Sequence, residues 1–287
     1  MHPFWDLAIE PTLDAAEATE VLEIGAEAGK TTGRLLDRAQ RTGGTVHSVD
    51  PAPQFDVARV ALARGERFAF HRGRSLEVLA DIGAVDAALI DGDHNWYTVH
   101  SELTLLARVA AAGSQPLPLI IAHDAGWPYG RRDMYYDPAS IPDEGRQDAA
   151  RAGIMPGRSE LGSPGINAGL WNATHEGGSR NGVRTAVEDF VAGYGVPCDV
   201  VIIEGLHGLA VVCSDERREA APGLSGAIAR LRSPELLTEW SARVERWRID
   251  ADIARRRAEA ERDAAAARLQ RLEGSLLDPP EPGRDQA

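Results

Sequence analysis

The chain has 287 residues, 43% of them hydrophobic, which suits one large folded domain with an appendage better than two equal domains. Its formal net charge of -13 argues against general nucleic-acid binding, because phosphate backbones reward clustered cations. The two cysteines, Cys198 and Cys213, lack the paired spacing of a zinc site, no apolar run approaches membrane-spanning length, and Met1 to Asp6 lacks a secretory leader's pattern, so a cytoplasmic protein is expected.

Residues 1–19 read as a lead-in with a short helix around Thr12 to Thr19. Glu20 to Ile24 then forms an apolar run suited to a strand covered on both faces, followed by a tight turn through Gly25 and Gly29 and a helix from Thr32 to Arg41. Gly29-Lys30-Thr31 is similar to the end of a phosphate-binding loop, but that pattern needs Gly where Ile24 stands, and a dinucleotide fingerprint would want Gly at Glu27. Thr45 to Asp50 alternates and ends in an acid, placed to take both hydroxyls of a nucleoside ribose. A helix over Asp56 to Gly65, a strand at Phe68 to His71 and a helix from Leu76, with Ser75 as its cap, come next. Val85 to Ile90 runs into Asp91-Gly92-Asp93-His94, a helix follows from Tyr97 to Ala111, and Leu117 to Ala122 ends in His123-Asp124. Strands alternating with helices predict an α/β fold with a parallel sheet wrapped on both faces.

Between Ala125 and Asn181 the periodicity lapses in a stretch rich in Gly, Pro, Tyr and Arg. A long aperiodic segment leaving the end of a central strand is expected to be a lid over a ligand. Val183 to Ala192 returns as a helix, and two apolar runs around Gly205 to Gly208 predict a hairpin. From Pro234 to Glu273, the residues Leu237, Trp240, Val244, Trp247, Ala251, Ala254, Ala258 and Ala265 recur at helical spacing. They predict a long amphipathic helix with coiled-coil character, interrupted at Glu261 and Arg268. The Pro-rich tail from Asp278 to residue 287 is expected to be disordered.

The polar clusters ending two neighbouring strands bring carboxylates and imidazoles together, a donor set for a divalent cation such as Mg²⁺ or Mn²⁺ and for a general base near neutral pH. The spacing Glu-x-Gly-x-x-x-Gly resembles motif I of the class I S-adenosylmethionine (SAM) methyltransferases. Strand-Asp-Gly-Asp-His followed by strand-His-Asp resembles, more narrowly, the group that includes cephalosporin-hydroxylase-like and sugar O-methyltransferase proteins of antibiotic biosynthesis. The resemblance spans about residues 20–213. It implies a Rossmann-like doubly wound sheet of about seven strands with an antiparallel last strand, in a methyltransferase domain over residues 1–215 with an insertion at 125–181.

It also implies SAM held by Glu23, Gly25, Ala26, Gly29, Thr31, Asp50, Arg74, Ser75 and Asp91. The metal would lie on Asp91, His123 and Asp124, with His94 as the base, although an acid is more usual where His123 stands. His123 is therefore an alternative base and Asp93 an alternative ligand. Trp127, Tyr129, Arg131, Arg132 and Tyr135 of the lid are expected at the substrate, the aromatics on sugar faces and the arginines on an anionic group. The resulting expectation is an O-methyltransferase acting on a small polar acceptor, a sugar or glycosylated metabolite, and forming a homo-oligomer through the long helix. An N- or phenol-directed enzyme without metal and a non-catalytic partner protein are the alternatives.

Overall fold

The buried run Val21, Leu22, Glu23 and Ile24 is an interior strand of the main sheet. In the computed structural model, which describes the backbone of residues 1–277, this run is β1 (Glu20–Ile24). It is preceded by a single wide helical turn at Trp5–Ile9 and α1 (Glu10–Ala15), several residues ahead of the lead-in helix expected around Thr12 to Thr19. Phe4, Trp5, Leu7, Ile9 and Leu13 are all buried there, so apolar contact fixes a segment whose local propensity is weak.

The next elements are α2 (Lys30–Thr42), β2 (Thr45–Val49), α3 (Val57–Arg64), β3 (Phe68–His71), α4 (Ser75–Ile82), β4 (Ala87–Ile90), α5 (Trp96–Ala112) and β5 (Leu119–His123). Strands β1 to β5 pair in parallel, as expected for β-α-β connections. One face of the sheet shares a core with α4, α5 and α6 (Val183–Tyr194), built from Leu22, Ile24, Ile90, Leu103, Ile120 and Val187 among others. Because side chains alternate along a strand, Glu23 points to the opposite face, where α2 lies.

The segment expected as a lid forms a small sheet of its own, from β6 (Met134–Tyr135), β7 (Ala149–Ala150) and β8 (Trp171–Ala173) in the order β6-β8-β7. Tyr129, Met134 and Ile154 make its core. The hairpin is β9 (Cys198–Ile203) and β10 (Leu209–Ser214). β10 runs antiparallel between β5 and β9, completing the order β3-β2-β1-β4-β5-β10-β9.

Two further helices, α7 (Asp215–Ala220) and α8 (Gly223–Leu231), were not apparent in the sequence pattern. Leu224, Ile228 and Leu231 bury in the same compact unit, which runs from Met1 to Leu237 rather than stopping at residue 215.

The last helix, α9 (Pro234–Leu277), carries most of a second unit beginning at Thr238. On it Trp247, Ile249, Ile253, Leu269 and Leu272 are exposed, while Arg248, Arg255 and Arg256 pair with Glu245, Asp252 and Glu259 along the helix. The tail expected to be disordered lies outside the described residues. Among the described residues no helix is long and apolar enough to cross a membrane.

Candidate active site

The turn after β1 is shaped by close backbone approach. Gly25 has φ +88°, and a Cβ there would lie 2.3 Å from the carbonyl oxygen of Asp91, so the end of β4 passes directly against the turn. The Ala26 carbonyl accepts from the Gly29 N–H at 2.7 Å, and Gly29, at φ +74°, is the residue from which α2 starts. Thr31 lies in that helix's first turn. Asp50, just past β2, accepts the Glu27 N–H at 2.8 Å on one carboxylate oxygen and the Ala52 N–H at 2.7 Å on the other. These two bonds fix its orientation beside the turn and leave further lone pairs on both oxygens.

Glu23 departs from its expected place at the cofactor. Its carboxylate accepts the hydroxyls of Thr32 at 2.7 Å and Ser48 at 2.6 Å and is buried, tying β1, α2 and β2 together behind the turn. Burial outweighs those two hydrogen bonds and pushes its pKa up to about 7. The other oxygen, Oε1, is buried without a protein partner.

Ser75 is the first residue of α4 rather than its cap. Its hydroxyl donates to Glu102 of α5, whose pKa burial raises to about 8. Arg74, expected at the cofactor, pairs with Asp137 at 3.2 Å on the surface.

At the ends of β4 and β5 the polar residues converge. His123 Nδ1 lies 3.0 Å from Asp91 Oδ1 and 2.8 Å from Asp124 Oδ2. His94 Nδ1 stands 3.4 Å from that same Asp124 oxygen, with its ring stacked parallel to Tyr129 at 5.8 Å. Asp124 holds φ +59°, a left-handed conformation uncommon for a residue with a side chain. Its other oxygen lies 3.2 Å from His207 Nδ1, at the tip of the β9–β10 hairpin.

Burial alone would raise both acids. The surrounding imidazoles reverse this, holding Asp91 below the ordinary carboxylate range and Asp124 well below it. Conversely, burial would lower His123, but Asp91 and Asp124 raise it to about 9. One ligand atom each from Asp91, His123 and Asp124 can be chosen with all three within 4.8 Å of one another, so the set suits a cation once the His123 proton is displaced. The buried His123 Nε2 has no protein partner. Asp93 turns away toward Thr98 at the start of α5, and burial raises its pKa; it is not drawn into the metal-ligating group.

The expected substrate residues divide. Arg132 is fully buried, its guanidinium donating to the carbonyls of Ala173 and Ser159, and Tyr135 is buried with its hydroxyl donating to Asp133 at 2.7 Å. Both serve the insertion's interior, which corrects their expected place at a substrate. Arg131 is held by Glu188 and Thr185. Tyr129 is buried and backs His94. Trp127 remains exposed, as does Tyr136, whose ring lies 6.1 Å from His94. Sequence reasoning missed His207 and Phe4, the latter edge-on to His123 at 5.8 Å. The imidazole at a hairpin tip next to the last central strand was a usable signal for the first. Nothing local marked the second.

A sheet of this order with one reversed strand, a glycine turn after β1 and an acid after β2 is the Rossmann-like arrangement that the resemblance to class I SAM-dependent methyltransferases implies. Residues 22–125 match a family described as a methyltransferase domain. Uncharacterized methyltransferases of Mycobacterium tuberculosis and Mycobacterium bovis are each 36% identical to the chain over 109 residues, which is 38% of this chain and 42% of theirs. The chain's match thus spans less than half the length of those curated relatives. Among solved structures, an S-adenosylhomocysteine-bound methyltransferase of Podospora anserina aligns over 72% of this chain and 77% of its own at 16% identity and a TM-score of 0.44. A putative caffeoyl-CoA O-methyltransferase from Staphylococcus aureus aligns over 72% and 80% at 12% identity and a TM-score of 0.43.

Proposed function

We propose that this protein methylates a hydroxyl of a small polar molecule, a sugar or glycosylated metabolite, using SAM. The observation that carries the reading is the backbone contact between the Gly25 turn and the end of β4, which brings that turn beside the Asp91, His94, His123 and Asp124 cluster. Gly25, Ala26, Gly29 and Asp50 would hold SAM, with Thr31 and Ser75 at its margins. When bound, SAM supplies an electrophilic methyl group on a sulfonium, which needs an aligned and deprotonated acceptor more than covalent help.

His94 would take the acceptor's proton. Asp124 engages its Nδ1, which leaves Nε2 as the atom for proton transfer, and Tyr129 fixes the plane of the ring. Asp91, His123 and Asp124 would hold a divalent cation, whose contribution is to bind the acceptor oxygen and lower its pKa. With an imidazole in the donor set, Mn²⁺ fits at least as well as Mg²⁺.

A second, metal-free reading is favoured by one observation: the His123 ring already spans both carboxylates at hydrogen-bond distance. In that case His123 neutralises the acids, and a more acidic acceptor such as a phenol is the better substrate. We also propose that α9 joins copies of the chain through its exposed apolar residues.

Transfer of tritium from methyl-labelled SAM to a panel of sugars, glycosides and phenols tests the enzyme reading. His94→Ala should lower turnover by roughly 10²- to 10⁴-fold with SAM binding retained. Activity that falls in excess chelator and returns with Mn²⁺ identifies the metal route, whereas full activity in chelator leaves the His123 route. A fully active His94→Ala protein contradicts the assignment of the base.

A further inference from the structure

A cleft of about 320 Å³ opens between the start of the insertion and the tip of the β9–β10 hairpin. Trp127, Pro128 and Ile166 form one side, and Glu204, Leu206 and His207 the other. Its base is held by backbone contact. The Gly126 N–H donates to the His207 carbonyl at 2.7 Å, and a Cβ on Gly208, at φ +77°, would lie 2.3 Å from the Gly126 nitrogen. The two walls therefore meet backbone to backbone, with no room for a side chain between them.

Trp127 and Ile166 are 38% and 44% exposed, so each presents apolar surface to the cleft and to solvent. His207 belongs both to the cleft and, through its 3.2 Å contact with Asp124, to the polar cluster. The cleft thus lies beside the polar cluster, with His207 common to both.

Its lining has a definite chemistry. None of the lining residues is a lysine or arginine, and one of them, Glu204, brings a carboxylate to the cleft. Arg184, 2.9 Å from Glu204, is committed to it. The two arginines expected from the sequence to meet an anion are elsewhere, Arg132 inside the insertion and Arg131 against Glu188. An indole face beside proline, isoleucine and leucine suits the flat apolar side of a ring, while the imidazole and carboxylate suit hydroxyl donors at its edge.

We propose that this cleft seats the methyl acceptor, and that it selects an uncharged hydroxylated ring over an anionic one. The proposal rests on the methyl-transfer reading above.

The test uses full-length protein labelled with fluorotryptophan and saturated with S-adenosylhomocysteine, the Trp127 resonance being assigned by its loss in Trp127→Phe. Two probes share a phenyl ring and differ in charge: phenyl β-D-glucopyranoside and phenyl phosphate. The glucoside should shift the Trp127 signal in a saturable way, phenyl phosphate should bind at least tenfold more weakly, and Ile166→Asp should weaken the glucoside at least tenfold while leaving the affinity for S-adenosylhomocysteine unchanged. A Trp127 signal that the glucoside does not move, or phenyl phosphate binding as tightly as the glucoside, overturns the proposal. Calorimetry of S-adenosylhomocysteine on the same sample separates the two levels: no binding removes the methyl-transfer reading itself, whereas binding with a silent Trp127 removes only the cleft.

Discussion

Glu102 is fully buried against Ser75, and burial pushes its carboxyl pKa up from the ordinary 4.5 to about 8. The unfolded chain releases that proton near its ordinary value and the folded protein keeps it until about pH 8, so the unfolded state binds fewer protons in between. Stability from this group must fall as pH rises from the ordinary carboxylate range to about 8, and then level off. Glu102→Gln keeps the shape without the charge. Urea unfolding at pH 5 and pH 9 should show the variant losing less stability than the parent, by on the order of 2–4 kcal/mol. A residual slope falls to other acids that burial raises in the same sense, Glu23 and Asp133 among them. Such residues explain what the sequence hid. Ser75 reads as a helix cap and Glu23 as a ligand because their spacing suits both roles, and only the fold reveals that each faces a buried partner. Asp91, His123 and Asp124 were legible because each ends a strand, and strand ends in this fold meet at one edge.

The insertion shows the same limit at the scale of an element. Its strands are two or three residues long, too short for alternation to register, so a built subdomain reads as an aperiodic loop. What holds it is polar. Arg132 donates to two carbonyls from separate parts of the segment, and Asp133 accepts from Trp96 N–H, Gly182 N–H and the Tyr135 hydroxyl. Arg132→Ala strands the buried Ala173 carbonyl and empties a fully buried site, and should cost about 2–5 kcal/mol in chemical unfolding, with new protease cleavage confined to residues 125–181. Unchanged stability would mean that the apolar cluster of Tyr129, Met134 and Ile154 suffices alone. By contrast the main sheet was readable strand by strand, including the reversed β10, because buried apolar runs of four to six residues bounded by turns leave little ambiguity.

For the whole molecule, α9 is the element whose sequence pattern exceeds what the first compact unit needs, with Trp247, Ile249 and Ile253 left exposed along it. If it joins copies, light scattering should give a dimer or larger for the full chain and a smaller species for Trp247→Glu with Ile253→Glu; equal masses would mean that the helix does not assemble the protein. The central claim concerns the turn and the acid beside it. Titration calorimetry of SAM into the parent protein and Asp50→Ala tests it most directly. The account predicts saturable binding of one SAM per chain, weakened by at least about 1.4 kcal/mol, a tenfold loss, in the variant. Equal affinity in the two proteins, or no binding to the parent, would contradict it.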